Sequence, residues 1–114
     1  MIELISIFTF LVASHFVADY VFQTDAIAVG KNHKISKEHL TVPWYYWLFA
    51  HSIVHALGVY FVTQSLTLFY MELVAHFLID FSKCNKWINL NVDQLLHISC
   101  KIFYVFFIFS SWVM

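Results

Sequence analysis

The sequence predicts an all-α integral membrane protein: an antiparallel four-helix bundle with a polar site in its cytoplasmic half. Three observations lead there. Hydrophobic residues make up 61% of the 114 positions and charged residues 11%, more apolar surface than one soluble domain of this length can hide. Apolar runs long enough to cross a bilayer at about 1.5 Å per residue alternate with two lysine-bearing polar stretches. Within the apolar runs, ionisable residues recur at every fourth position, along one helix face. Each such residue costs roughly 2.5–3.5 kcal/mol at the centre of a span, so these faces should turn toward one another.

The whole chain, 1–114, reads as a single transmembrane domain. The first span covers about 4–23 and carries His15, Asp19 and Gln23 in its second half. It has no basic leader and no small-residue cleavage site, so it does not read as a signal peptide. Residues 24–42 form a polar loop with Lys31, Lys34 and Lys37 and room for a short surface helix; His33 and His39 are expected to be solvated there. The second span, 43–62, opens at Pro43, whose missing N–H costs nothing at a helix start. Trp44, Tyr45, Tyr46 and Trp47 follow as an interfacial belt, then His51 and His55 one turn apart. The short connection Thr63–Ser65 implies a helical hairpin.

The third span, 66–81, is short for a bilayer and holds MELVAHFLIDF, in which Glu72, His76 and Asp80 share a face. Residues 82–91 form the second basic loop, with Lys83, Lys86 and Trp87. The fourth span, 92–113, opens with Asp93 and His97 and carries Lys101 one turn deeper; its Phe-rich end, from Phe103 to Met114, is expected to face lipid. Cys84 and Cys100 lie far apart and form no disulfide framework.

Five of the six lysines lie in the two loops and none in the hairpin or at either end. The positive-inside rule therefore places both loops in the cytoplasm and both termini outside. Spans one and three then run toward the cytoplasm with their polar residues late, and spans two and four leave it with theirs early. All four polar clusters fall at one depth, which scattered interhelical hydrogen bonds would have no reason to do.

The expected inner ring is His15, Asp19, His51, His55, His76, Asp80, Asp93 and His97. Pairs of imidazole or carboxylate at i, i+4 are how helix bundles build metal sites. The donor types suit a divalent metal, zinc first, with manganese or iron as alternatives. Asp19, Glu72, Asp80 and Asp93 against Lys101 sum to −3, so one ion leaves −1 and two give +1. Eight candidates exceed what one tetrahedral ion uses; either two ions bind or some residues only support the ligands. Glu72 and Lys101 sit two turns deeper than Asp80 and Asp93 and should pair near the membrane middle.

The elements HFVADYVFQTD (15–25), HSIVHAL (51–57), ELVAHFLID (72–80) and DQLLH (93–97) touch all four spans. Their combination resembles a family of small bacterial and phage membrane proteins known only as a domain of unknown function. The resemblance implies the fold and the site, in a bacterial inner membrane, and no reaction. The H-x-x-x-D element is also similar to that of membrane-bound metal-dependent hydrolases, by analogy alone.

The first functional expectation is a metal-dependent hydrolase acting on a lipid or other amphiphile, with Asp19 or Glu72 as base and the other ring residues as ligands. The second is a metal-ion or proton conduit, for which a homo-oligomer would have to complete the path. The third is a non-catalytic membrane partner or assembly protein whose polar core fixes the bundle. The bilayer is the expected partner; a net charge of about −1 gives no reason to expect nucleic acid.

Overall fold

The computed structural model describes residues 1–35 and 42–114; Lys37 and His39 of the first loop lie outside them. The described chain is all-α, with no strand. Helix α1 (Ile2–Phe16) continues directly into a π-helical turn at Val17–Val21, followed by α2 (Asp25–Gly30), α3 (Trp44–Thr63), α4 (Leu66–Cys84) and α5 (Leu90–Val113).

Local chemistry sets the ends. Thr24, Ser65 and Asn89 cap α2, α4 and α5, each side chain accepting the backbone N–H three residues on, at 3.2, 3.2 and 2.8 Å. Pro43 precedes α3 in extended conformation. Gln64 adopts the left-handed conformation at φ 57° and returns its N–H to Tyr60 at 2.6 Å, so α3 and α4 reverse within two residues.

Three boundaries differ from expectation. The first helix starts at Ile2, and its α-form ends at Phe16; the Phe22 N–H reaches back five residues to the Val17 carbonyl at 3.0 Å, and the helix stops before Gln23. Helix α4 runs three residues past the expected end at 81, to Cys84. Asn89 caps α5 early, so the second basic loop shrinks from 82–91 to five residues.

α3 packs against α1 and α4, α5 packs against α4 and α1, and α2 lies on α3. The molecule measures 52 × 23 × 23 Å. At the α1–α3 crossing, a Cβ on Gly58 would come within 3.1 Å of Ser14 Oγ. Helix α1 with its π turn, α3 and α5 are long and apolar enough to cross a membrane. Helix α4 has 19 residues but carries Glu72, Asp80 and Lys83, which lower its hydropathy, and is not among the three.

Polarity is inverted relative to a soluble protein. The outward faces present Phe10, Val21, Phe61, Val74, Leu78, Leu95 and Phe106, while Glu72, Asp93 and Lys101 are at most 2% exposed. The interior has two zones. An apolar layer of Leu11, Val59, Leu68, Tyr104 and Ile108 sits at the hairpin end, and the histidines and carboxylates fill the remainder. In α4, buried Leu68, Glu72, His76, Asp80 and Cys84 follow one another at every fourth residue; a single face of one helix enters both zones.

Candidate metal centre

Asp19 is the hub. It sits in the π turn, a helical irregularity that recurs at functional sites. Its Oδ1 accepts from His51 Nε2 at 3.2 Å and from His55 Nε2 at 3.0 Å, while Gln94 Nε2 donates to Oδ2 at 3.1 Å. His15 Nε2 lies 3.5 Å from the same Oδ2. Three helices thus meet on one carboxylate.

His76 stands at the centre of the imidazoles. Its ring stacks on His55 at 3.7 Å and on His97 at 4.4 Å between centroids, with His51 at 5.0 Å. Both of its ring nitrogens are buried without a hydrogen-bond partner, a costly state for polar atoms unless something occupies the space between them and their neighbours. Glu72 Oε1 lies 3.5 Å from His76 Nδ1, positioned to orient the ring as carboxylates orient metal-bound histidines.

Asp19, His51, His55 and His76 form a group able to hold a metal ion, each offering one ligand atom within 4.8 Å of the others; His15, His76 and His97 form a second. A tetrahedral ion with bonds of about 2.0–2.1 Å separates its ligand atoms by about 3.3–3.4 Å. The 3.0 and 3.2 Å spacings around Asp19 Oδ1 are close to that edge length.

All eight expected ring residues reach this cluster, but not in one role. Asp80 Oδ2 is held by Lys31 Nζ at 2.6 Å. Asp93 Oδ2 accepts from Gln94 Nε2 at 3.1 Å, and its Oδ1 is buried without a hydrogen-bond partner, 3.4 Å from His97 Nε2. Because the Gln94 amide nitrogen faces two carboxylates, its carbonyl faces His15, whose Nε2 donates to it at 3.0 Å. His15 therefore keeps a bare, buried Nδ1.

Below the imidazoles Glu72 closes the polar zone. Lys101 Nζ donates to Oε1 at 2.7 Å and the Tyr104 hydroxyl to Oε2 at 2.7 Å. Tyr104 belongs to the Phe-rich end expected to face lipid; it is 2% exposed instead, because a buried carboxylate needs donors on both oxygens.

At the opposite end Lys31 corrects the reading of the first loop. The sequence predicts it in the polar loop and leaves it out of the site's charge, yet it is 5% exposed and bonded to Asp80. Helix α2 delivers it: Gly30 packs so closely on Trp47 that a Cβ would come within 2.7 Å of the ring. Lys31 belongs to no periodic pattern, and its only sequence signal is the Thr24-capped stretch ending in glycine. With Lys31 included, the four carboxylates and two ammonium groups sum to −2, which one divalent ion neutralises. His33 is also not solvated: it stacks on Phe81 at 4.6 Å and bonds to Asn85 Oδ1 at 3.0 Å.

A polar cavity of about 230 Å³ adjoins the cluster, lined by Asp19, Asp80, Asp93, Gln94, Lys31, Lys83, Gln23, Tyr20 and Leu90. It reaches the Asp19 group from the loop end.

The family model described as "Protein of unknown function (DUF3307)" matches residues 7–114, and the chain belongs to that family. No curated protein and no solved structure gives a significant match.

Proposed function

We propose that this member of the DUF3307 family crosses the membrane as a four-helix bundle, both termini outside, and uses one intramembrane divalent metal to hydrolyse an amphiphile at the cytoplasmic face. The observation that carries the reading is the Asp19–His51–His55–His76 donor set placed beside a polar cavity. Three imidazoles and a carboxylate suit zinc best. The net charge of −2 favours one ion over two. With Lys31 withdrawn from the loop, Lys34, Lys37, Lys83 and Lys86 still support the cytoplasmic placement of that end.

Catalytic metal sites keep a position open to water or substrate. Four donors would fill a tetrahedral ion, so a water would enter as a fifth ligand or in place of one donor; Asp19 is the one member of the donor set that lines the cavity, and water would reach the ion from that side. A metal held there would lower the pKa of a bound water toward ~7. In this reading Asp19 is taken up by the metal and by Gln94, and Glu72 by Lys101 and Tyr104. Asp93 lines the cavity and has an oxygen, Oδ1, that is buried without a hydrogen-bond partner 3.4 Å from His97 Nε2, and we assign it the base. Asp93 would take the water's proton as the water oxygen adds to the electrophilic centre, and would give it to the departing alcohol.

The apolar layer of Leu11, Val59, Leu68, Tyr104 and Ile108 speaks against a conduit, since these described residues offer one polar group, the Tyr104 hydroxyl, and it is bonded to Glu72. Elemental analysis of detergent-purified protein tests the reading. About one equivalent of zinc is expected, lost in His76→Ala and His51→Ala and kept in Asp93→Asn, which should lose hydrolysis of short-chain ester and phosphoester amphiphiles. No metal in folded, zinc-reconstituted protein would overturn it.

A further inference from the structure

We propose that the cavity beside Asp19 receives a phosphate-type anion, the headgroup of an amphiphile, and receives it only once the metal is bound. This rests on the metal reading above and names the substrate class for the same site.

The argument begins with charge. Three carboxylates, Asp19, Asp80 and Asp93, and two ammonium groups, Lys31 and Lys83, line the cavity. Without metal the lining sums to −1 and repels an anion. A divalent ion on Asp19 turns the sum to +1. Lys31, Asp80 and Asp93 of that lining are at most 5% exposed, and such potentials are stronger beside buried charges than in bulk water.

The two lysines are not equivalent. Lys31 is spent on Asp80 at 2.6 Å. Lys83, in the last turn of α4, makes no ion pair with any described residue and is the cation available to a ligand. A tetrahedral anion would then bridge the metal's open position and the Lys83 ammonium.

Size and exit agree with this occupant. A volume of about 230 Å³ is below the roughly 300–1,000 Å³ of pockets that enclose whole drug-sized ligands. It admits a headgroup and leaves the tail outside. Tyr20 and Leu90 form part of the lining and are 61% and 51% exposed, so a tail can leave between the π turn and the first turn of α5 into lipid.

Isothermal titration of the metal-loaded, detergent-solubilised full chain tests the proposal, with inorganic phosphate and dihexanoyl phosphatidic acid as probes. Wild type should bind the lipid when loaded and not when metal-free. Lys83→Ala should weaken binding at least tenfold at unchanged metal content, Lys83→Arg should restore most of it, and Lys86→Ala, whose exposed side chain lies off the cavity, should match wild type. Tighter binding of the lipid than of phosphate assigns the site to a headgroup; equal binding assigns it to free phosphate and overturns the amphiphile. A loaded protein that ignores both probes, or binds them equally well as Lys83→Ala, overturns the anion site while leaving the metal centre standing. A protein that takes up no metal overturns both.

Discussion

The Lys31 ammonium lies 2.6 Å from Asp80 Oδ2, and neither side chain is more than 6% exposed. The same Oδ2 is 3.6 Å from His51 Nε2 and 3.7 Å from His76 Nε2. A lysine from the first loop thus supplies a fixed positive charge at the edge of the imidazole cluster.

Removing that charge should be costly. Lys31→Met leaves Asp80 buried and unpaired, and breaking a buried pair costs about 3–5 kcal/mol. Thermal unfolding in detergent should show a lowered midpoint for Lys31→Met, with much of the loss recovered in Lys31→Met/Asp80→Asn. If the double variant is no more stable than the single one, the pair is not what holds Lys31 inside.

Gly30 should be indispensable for the same reason. Its missing Cβ would meet Trp47 at 2.7 Å, so Gly30→Ala must displace α2 or the indole. Overpacking of this kind costs about 1–3 kcal/mol, and it should move Lys31 off Asp80. The expected result is an unfolding midpoint lowered as in Lys31→Met, and a double variant little worse than either single one.

Metal removal should destabilise wild type more than the ligand variants. A ligand at 100 times its Kd stabilises the folded state by about 2.7 kcal/mol. A strong chelator should therefore lower the wild-type midpoint by several degrees and leave His76→Ala unmoved. Equal shifts in both would place the ion elsewhere.

The deep carboxylate should matter for stability and not for metal uptake. Tyr104→Phe takes one donor from Glu72 and leaves Lys101 on the other oxygen; the cost should be about 1–3 kcal/mol. Its metal content, read by elemental analysis, should equal that of wild type. A loss of metal in Tyr104→Phe would show that Glu72 sets the His76 ring more tightly than the 3.5 Å contact implies.

Much of the centre was legible because helical periodicity is a local property. His51 and His55, or Glu72, His76 and Asp80, share a face in any α-helix, and an ionisable face in an apolar run has to turn inward. The first span followed a different rule. α-Helical spacing predicts the place of Asp19, but a π turn carries it, and nothing in VADYV distinguishes five-residue from four-residue hydrogen bonding. The polarity of its neighbours predicts a solvated His33, whereas its place is set by Phe81 in α4 and Asn85 just beyond that helix, 48 and 52 positions away.

The sequence by itself determined the helical class, the apolar outer surface and the polar residues that must be sheltered, because each follows from composition and a period of 3.6. Only the tertiary structure decided how those residues divide: which imidazoles share Asp19, which carboxylate Lys31 neutralises, and which Asp93 oxygen is left without a hydrogen-bond partner. Those outcomes depend on how four helices and a short capped helix rotate and approach one another. That approach is set by long-range packing, such as Gly30 against Trp47 and Gly58 against Ser14, which no local pattern encodes.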